Sequence, residues 1–509
     1  MSRPHIIDHI LLGLIGLVLV SILVLMVSAV SAGKPTASNC PAPTVEKDGK
    51  CILNSDATLT EVIKVSSGQT LDCQGHRLSP KKAGKEPTGT NPSVQSVPVA
   101  AVFLNDVTGV QIRNCAIEGF DFGLVAVNDE KAEKLSPGKR AGQRIIITGN
   151  NITALYNGIN IIEADNIEIM DNQITTKGIA PPINIFLDSD SLHIHNNKIA
   201  TRETSNLDYT SPYYPGSPDF YSTADGIIFN QLPAETIVFS LGGVNITFEE
   251  ESSDRATNNI VEDNNLELAI SQSDPQSEQS GPSKHNAGVY VSALEDGLII
   301  RNNTMRGGSY GVSLTPVLLT QSFPDPSFWP RNVVVEDNKM LGPFWNTGVA
   351  ARNTFNPIIR GNFISGAHNA GIILFGKSIE TATVTRNILQ DNKAGFRLRT
   401  VTSFFGPSFF GPGAQNFGAS IFLNDITESS QRAIDTDFPE EKVEYTFVSE
   451  FSTEGQGNYW GRTCSDSNGF REFGEQNADS PSPYINDSNP YGFPVANEFN
   501  ETKLNMPCQ

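Results

Sequence analysis

The chain has 509 residues, with 43 glycines, 31 prolines, 18% charged residues and a formal net charge of −20. That acidity excludes a nucleic-acid phosphate backbone as partner; otherwise it speaks to solubility, not to fold. The length would suit several compact domains, but the periodicity below reads as one elongated solenoid.

Residues 10–30, ILLGLIGLVLVSILVLMVSAV, form an unbroken apolar run long enough to span a bilayer. Val30-Ser31-Ala32 before Gly33 has the small residues of a signal cleavage site, and Arg3 is offset by Asp8. Residues 1–32 therefore read equally as a cleaved signal peptide or a membrane anchor. Either reading makes residues 33–509 extracytoplasmic, secreted or anchored, with membrane contact confined to 10–30.

Six cysteines follow this run, an even count that suits disulfides in an exported chain. Cys73, in Leu71-Asp72-Cys73-Gln74-Gly75, and Cys115 take the same bend of successive turns, so stacking brings them within disulfide span. Order along the chain then pairs Cys40 with Cys51 and Cys464 with Cys508. Zinc is the alternative, but no Cys-x-x-Cys pair exists.

Residues 33–66 read as an N-terminal cap over open strand edges. From about residue 67 to 439 one hexapeptide recurs: a β-branched residue, any residue, a turn residue, Asn, any residue, then Ile, Leu or Met. It starts at Ile112, Ile147, Ile169, Ile194, Val261, Ile300, Val335, Ile359 and Val384, with a base period of 22 to 25 residues. Its fourth position is Cys115, Asn150, Asn172, Asn197, Asn264, Asn303, Asn338, Asn362 and Asn387. A glycine-led alternating strand follows each copy, as at Gly123, Gly158, Gly288, Gly311, Gly348 and Gly371. Two strands per period, with one Asn at a recurring inward bend, predict an all-β chain coiled as a right-handed parallel β-helix. Leucine-rich repeats share the period, but their Leu-x-x-Leu-x-Leu frame is missing.

The longer gaps are insertions, and they flank the glycine-led strand on both sides while the hexapeptide strand stays bare. A strand face walled on both sides is a groove. Alternation places Tyr290, Arg352, Arg397 and Arg399 outward on it, with Trp345 at its edge. Cations beside flat apolar rings suit a sugar, which has an apolar face and hydroxyl edges. The other wall aromatics, such as Phe404, Phe405, Phe409 and Phe410, read first as packing.

His193 and His195 share one strand face. In register, Glu168 lies one turn before and Glu262 one turn after, a set able to hold a divalent metal. Read onward, the same column runs His195, Glu262, Arg301, Glu336, Arg360, and ordinary charge alternation is the simpler account. No other cofactor is expected. The groove offers no paired carboxylates for glycoside hydrolysis. For a lyase, Arg352 and Arg399 can neutralise a uronate, but no base stands out, so catalysis stays open.

Residues 440–509 leave the repeat. Gly457-Asn458-Tyr459-Trp460-Gly461, the turn Asp466-Ser467-Asn468-Gly469 and then Pro483-Tyr484-Ile485 resemble the C-terminal end of NosD-like periplasmic β-helix proteins. The LDCQGH opening and the IRNC turn are similar to secreted β-helices of the carbohydrate-binding and sugar-hydrolase class. The resemblance implies a C-terminal cap and either polysaccharide binding, with or without lyase or hydrolase activity, or a non-catalytic role as a NosD-like envelope scaffold or a metal-site maturation accessory. Six methionines without close spacing argue against copper handling. The expected partner is a polysaccharide.

Overall fold

The computed structural model describes residues 40–85, 96–127, 144–177, 180–186, 189–201, 225–230, 237–241, 244–248, 255–269, 286–292, 294–315, 326–399, 416–417, 419–422, 424–427, 432–437 and 446–447. The apolar run 10–30 and the GNYWG segment lie outside these residues, as do Cys464 and Cys508. Among the described residues no helix is long and apolar enough to cross a membrane. The chain divides into two compact units, residues 1–254 with 267–286, and residues 255–266 with 287–509.

Each unit coils through three parallel sheets. In the first unit the first sheet carries Thr70–Asp72, Gln111–Arg113, Ile145–Thr148, Ile167–Met170 and His193–His195 in order. The second carries Arg77–Pro80, Ala116–Glu118, Asn151–Ala154, Gln173–Thr176 and Lys198–Thr201. The third carries Ala100–Asn105, Phe122–Val127, Ile159–Ile162, Ile183–Phe186 and Ile227–Asn230. Lys50–Ile52, Ala57–Leu59 and Ile63–Lys64 already pair in parallel with these sheets, although they fall in the segment read as a cap. Val45–Lys47 joins Lys50–Ile52 antiparallel and covers that edge.

The second unit repeats the plan. Its first sheet runs Ile260–Glu262, Ile299–Arg301, Val334–Glu336, Ile358–Arg360, Thr383–Thr385 and Ser420–Phe422. Its second runs Thr304–Arg306, Lys339–Phe344, Phe363–Ala367, Ile388–Gln390 and Asp425–Thr427. Its third runs Ala287–Val291, Tyr310–Leu314, Thr347–Arg352, Ala370–Phe375, Ala394–Arg399 and Arg432–Asp437.

The period therefore holds three strands, where the sequence suggested two, because the hexapeptide bends in its middle. Its third residue adopts the left-handed backbone, with φ of 65° at Gly149, 56° at Asp171 and Asn196, 53° at Asp337 and 66° at Gly361. Gly, Asn and Asp tolerate that conformation, which explains the turn-type position. Arg386, φ 57°, is the exception. The Asn that follows is buried at the corner. Asn150 donates its backbone N–H to Asn172 Oδ1, and Asn172 to Asn197 Oδ1, each at 3.0 Å. The second unit continues likewise through Asn264, Asn303, Asn338, Asn362, Asn387 and Asn424. Within each unit the side-chain amides also donate to carbonyls of the preceding coil, as Asn172 Nδ2 does to Ile147 O at 2.8 Å and Asn338 Nδ2 to Ile300 O at 2.8 Å.

Inside the corners, Ile112, Ile147, Ile169 and Ile194 stack in register and are fully buried. The glycine opening the third strand is dictated by close approach: a Cβ at Gly123 would sit 2.4 Å from Gly158 O and from Ile152 Cγ2. Cys40–Cys51 and Cys73–Cys115 are disulfide-bonded, as their positions suggested.

The third sheet departs from expectation. Its outward face was read as an open groove floor, yet Phe103, Val125, Asn160 and Ile228 in the first unit are buried. So are Tyr290, Ser313, Ala350 and Ile373 in the second. Alternation fixes where a side chain points but not whether something covers it. The small apolar cluster Ala370, Ile373 and Ala394 shows that this face carries packing of its own.

Three tests follow from this architecture. Asn362→Leu removes the acceptor for the Asn338 N–H and the donor to Val335 O. It should lower stability by about 1–3 kcal/mol, and an unchanged melting temperature would show the column to be dispensable. Cys73–Cys115 spans 42 residues, so a Cys73→Ser/Cys115→Ser variant should lose about 2–4 kcal/mol in urea unfolding. Burial pushes the Asp121 carboxyl up to about 6, against two Ser96 hydrogen bonds that pull it down. A raised acid favours the fold while protonated, so this contribution is full below pH ~4 and lost as pH rises through ~6. Unfolding at pH 5 and pH 7.5 should show wild type losing more stability than Asp121→Asn; equal losses would rule the effect out.

Candidate ligand-binding cluster

In the second unit, the turns entering the third sheet stack polar and aromatic side chains. Trp345-Asn346 leads into Thr347–Arg352, and His368-Asn369 leads into Ala370–Phe375 one coil later. Backbone bonds fix both turns: Trp345 N–H donates to Gly308 O at 2.9 Å, and His368 N–H to Phe344 O at 3.0 Å. Stacking of the coils then lays the half-buried Trp345 ring against exposed His368, with centroids 5.5 Å apart and planes at 30°.

Beside this pair runs a chain of hydrogen bonds. Arg397 Nη1 donates to Asn369 Oδ1. Asn369 Nδ2 donates to Asn346 Oδ1 at 2.8 Å, and Asn346 Nδ2 to Tyr310 Oη at 2.7 Å. Arg352 Nη2 donates to the same phenol oxygen at 3.3 Å, with its guanidinium carbon 5.9 Å from the Tyr310 ring centroid. Two half-buried arginines are thus held by amides and a phenol. Arg352 shows no carboxylate partner among the described residues. An aromatic face beside two positioned guanidinium groups can stack on a sugar ring and hold acidic substituents.

Three of the five residues singled out for the groove come together here: Trp345, Arg352 and Arg397. Arg399 shares the register row of Arg352, two coils on, through Phe375; its side chain lies outside the description. Tyr290 does not join them. It is buried, its hydroxyl donates to Thr315 O at 3.1 Å, and four coils of stacking separate it from Arg397 in the same row. Tyr310, Asn346 and Asn369 do not stand out in the sequence, and His368, in His-Asn-Ala-Gly, reads there only as a repeat-turn residue. The available signal was an Asn two places before the glycine, at Asn346-x-Gly348 and Asn369-x-Gly371.

A second cluster lies on the first sheet of the first unit. Glu168 stands opposite His193, as the register reading had it. Glu168 Oε1 is 3.1 Å from His195 Nε2, and Oε2 takes Arg144 Nη1 at 2.8 Å. Burial pushes the Glu168 carboxyl up, but hydrogen bonds and charge from His195 and Arg144 outweigh it and hold the group below its ordinary range. Glu262, the fourth member of the expected set, belongs to the second unit, where it pairs with Arg301 at 2.5 Å. Arg360 meets Glu336 in the same way at 2.5 Å.

Residues 221–464, just under half of the chain, match the family model described as periplasmic copper-binding protein (NosD). No curated protein matches the sequence. Among solved structures, the A-module of the mannuronan C-5 epimerase AlgE6 of Azotobacter vinelandii is 12% identical, with a TM-score of 0.41, covering 77% of this chain and 90% of its own. A tailspike mutant of E. coli bacteriophage HK620, in complex with a pentasaccharide, is 11% identical at a TM-score of 0.40, covering 80% of this chain and 59% of its own. PfbA, a surface adhesin of Streptococcus pneumoniae, is 10% identical at 0.40, covering 76% and 84%. The chain is a right-handed parallel β-helix repeat protein. In such a β-helix, a residue's place in the register decides which neighbours it meets, and that is what assembles Trp345, Arg352 and Arg397.

Proposed function

We propose that this chain is an extracytoplasmic β-helix that binds an anionic polysaccharide across the Trp345, Arg352 and Arg397 cluster. The observation that carries the reading is the Trp345–His368 stack beside two arginines held by one hydrogen-bonded chain. Two disulfides support an oxidising compartment, and similarity to a periplasmic family over residues 221–464 agrees with it.

The groups assembled here are aromatic, amide and guanidinium, which bind and orient. The carboxylate pair of glycoside hydrolysis is not among them, so binding takes precedence over catalysis. A net charge of −20 repels a polyanion from most of the surface. Attraction must therefore be local, within a screening length of about 8 Å at physiological salt.

The family-model match favours a second reading, an envelope accessory in copper handling. Against it, Met305 and Met340, although paired in register, are fully buried inside the coil and present no thioether to solvent.

Calorimetry with a uronate oligosaccharide decides between them. Wild type should bind, more weakly as salt rises, and Arg352→Ala and Trp345→Ala should each weaken binding by about tenfold or more, equivalent to ~1.4 kcal/mol. Equal affinity in wild type and both variants, or no binding by wild type, would return these side chains to a packing role.

A further inference from the structure

We propose that Glu168, His193 and His195 form a surface site for a zinc-class divalent ion, bridging two successive coils of the first unit. The strand His193–His195 projects both imidazoles outward while Ile194 between them is buried in the coil. Glu168 comes from the preceding coil, opposite His193. One donor atom from each residue lies within 4.8 Å of the others, and all three side chains are half-buried. Modest imidazole rotations close that spread onto one ion about 2.0–2.2 Å from each donor. The two rings already lie side by side, with centroids 4.1 Å apart.

The donor set selects the ion. Two imidazoles and one carboxylate suit Zn²⁺, leaving a fourth tetrahedral position for water or a ligand. The site lacks the thiolates and thioethers that favour Cu(I), and it has too few oxygens for Ca²⁺ or Mg²⁺.

A neighbour can orient the histidine. Asn196 Nδ2 lies 3.1 Å from His195 Nδ1. With His195 Nε2–H donating to Glu168, Nδ1 accepts from the Asn196 amide. When Nε2 binds an ion, the ring proton moves to Nδ1, and a flip of the Asn196 amide presents its oxygen to receive it. Arg144, with 54% of its side chain exposed, holds the other Glu168 oxygen and is free to swing into solvent.

The simpler account, plain cross-strand pairing, requires no ion, and titration separates the two. Untagged full-length protein, cleared of chelator, is titrated with Zn²⁺ by calorimetry and with Co²⁺ by visible absorption. One equivalent should bind. His193→Ala and His195→Ala should each weaken binding by about tenfold or more, and Glu168→Gln by a similar factor. Protection of His193 and His195 in wild type from diethyl pyrocarbonate by Zn²⁺, mapped by mass spectrometry, tests the same claim should a variant fail to fold. No uptake by wild type, uptake unchanged in the His193→Ala/His195→Ala variant, or absence of protection overturns the proposal. None of these outcomes bears on glycan binding, which is placed in the second unit.

Discussion

The buried asparagine column is the constraint on which the other features depend. At the asparagine corners between the first and second sheets the strand ladder stops, and the backbone N–H of the corner residue turns to a side chain instead. The asparagine of the next coil supplies the acceptor, at 3.0 Å in both units. Its amide nitrogen satisfies a carbonyl of the coil before, as Asn362 Nδ2 does for Val335 O at 2.9 Å. One side chain thus closes a corner and fixes the stacking of two coils, which an apolar residue cannot do. Such a corner has no room for an extra residue. The long insertions in the sequence fall at the two ends of the third-sheet strands.

The coil was legible because both its requirements recur at fixed positions: a residue that accepts positive φ, then Asn. The extra strand was less legible, since a six-residue motif with Ile at both ends looks continuous until its bend is known. Asn424 escaped notice for a related reason. Ile421-Phe422-Leu423-Asn424 puts Leu where a turn residue was sought, yet Asn424 Oδ1 still accepts from the Asn387 N–H. Burial of the third sheet's outward face was not legible at all, because alternation carries no information about covering segments. The site was half legible for the same reason. Arg352 and Trp345 stand out by type, whereas Tyr310 and Asn369 matter only through what their coil neighbours offer them.

The outward side of the first sheet shows how a small change alters a repeating interaction. Three times a carboxylate meets an arginine one coil later in the same register: Asp72 with Arg113, Glu262 with Arg301, and Glu336 with Arg360. Opposite Glu168 the chain has His193 instead. The carboxylate then takes its arginine from the preceding coil, Arg144, and adds His195. A guanidinium carries a fixed charge and donates only. Imidazole can be neutral and present a lone pair. At this one step the contact to the carboxylate comes from His195, two residues beyond the position in register, and an imidazole takes the place of a guanidinium.

Regular stacking also bears on the kind of ligand proposed for the second unit. Rows in the third sheet advance by about 4.8 Å per coil, so Arg352 and Arg399, two coils apart in one row, lie about 10 Å apart at the backbone. Trp345 and His368 are one coil apart and stack into a single surface. The backbone ladder fixes the rise between these positions, and in the next coil Asp435 and Asp437 stand in register with Arg397 and Arg399. The polyanion proposed for this site would be read by the distance between charges along an extended chain. A polymer whose acidic groups recur near that distance gains several contacts from one alignment, and a single monosaccharide gains one. On that proposal, selectivity for length and charge spacing would follow from building the site across coils rather than within one loop.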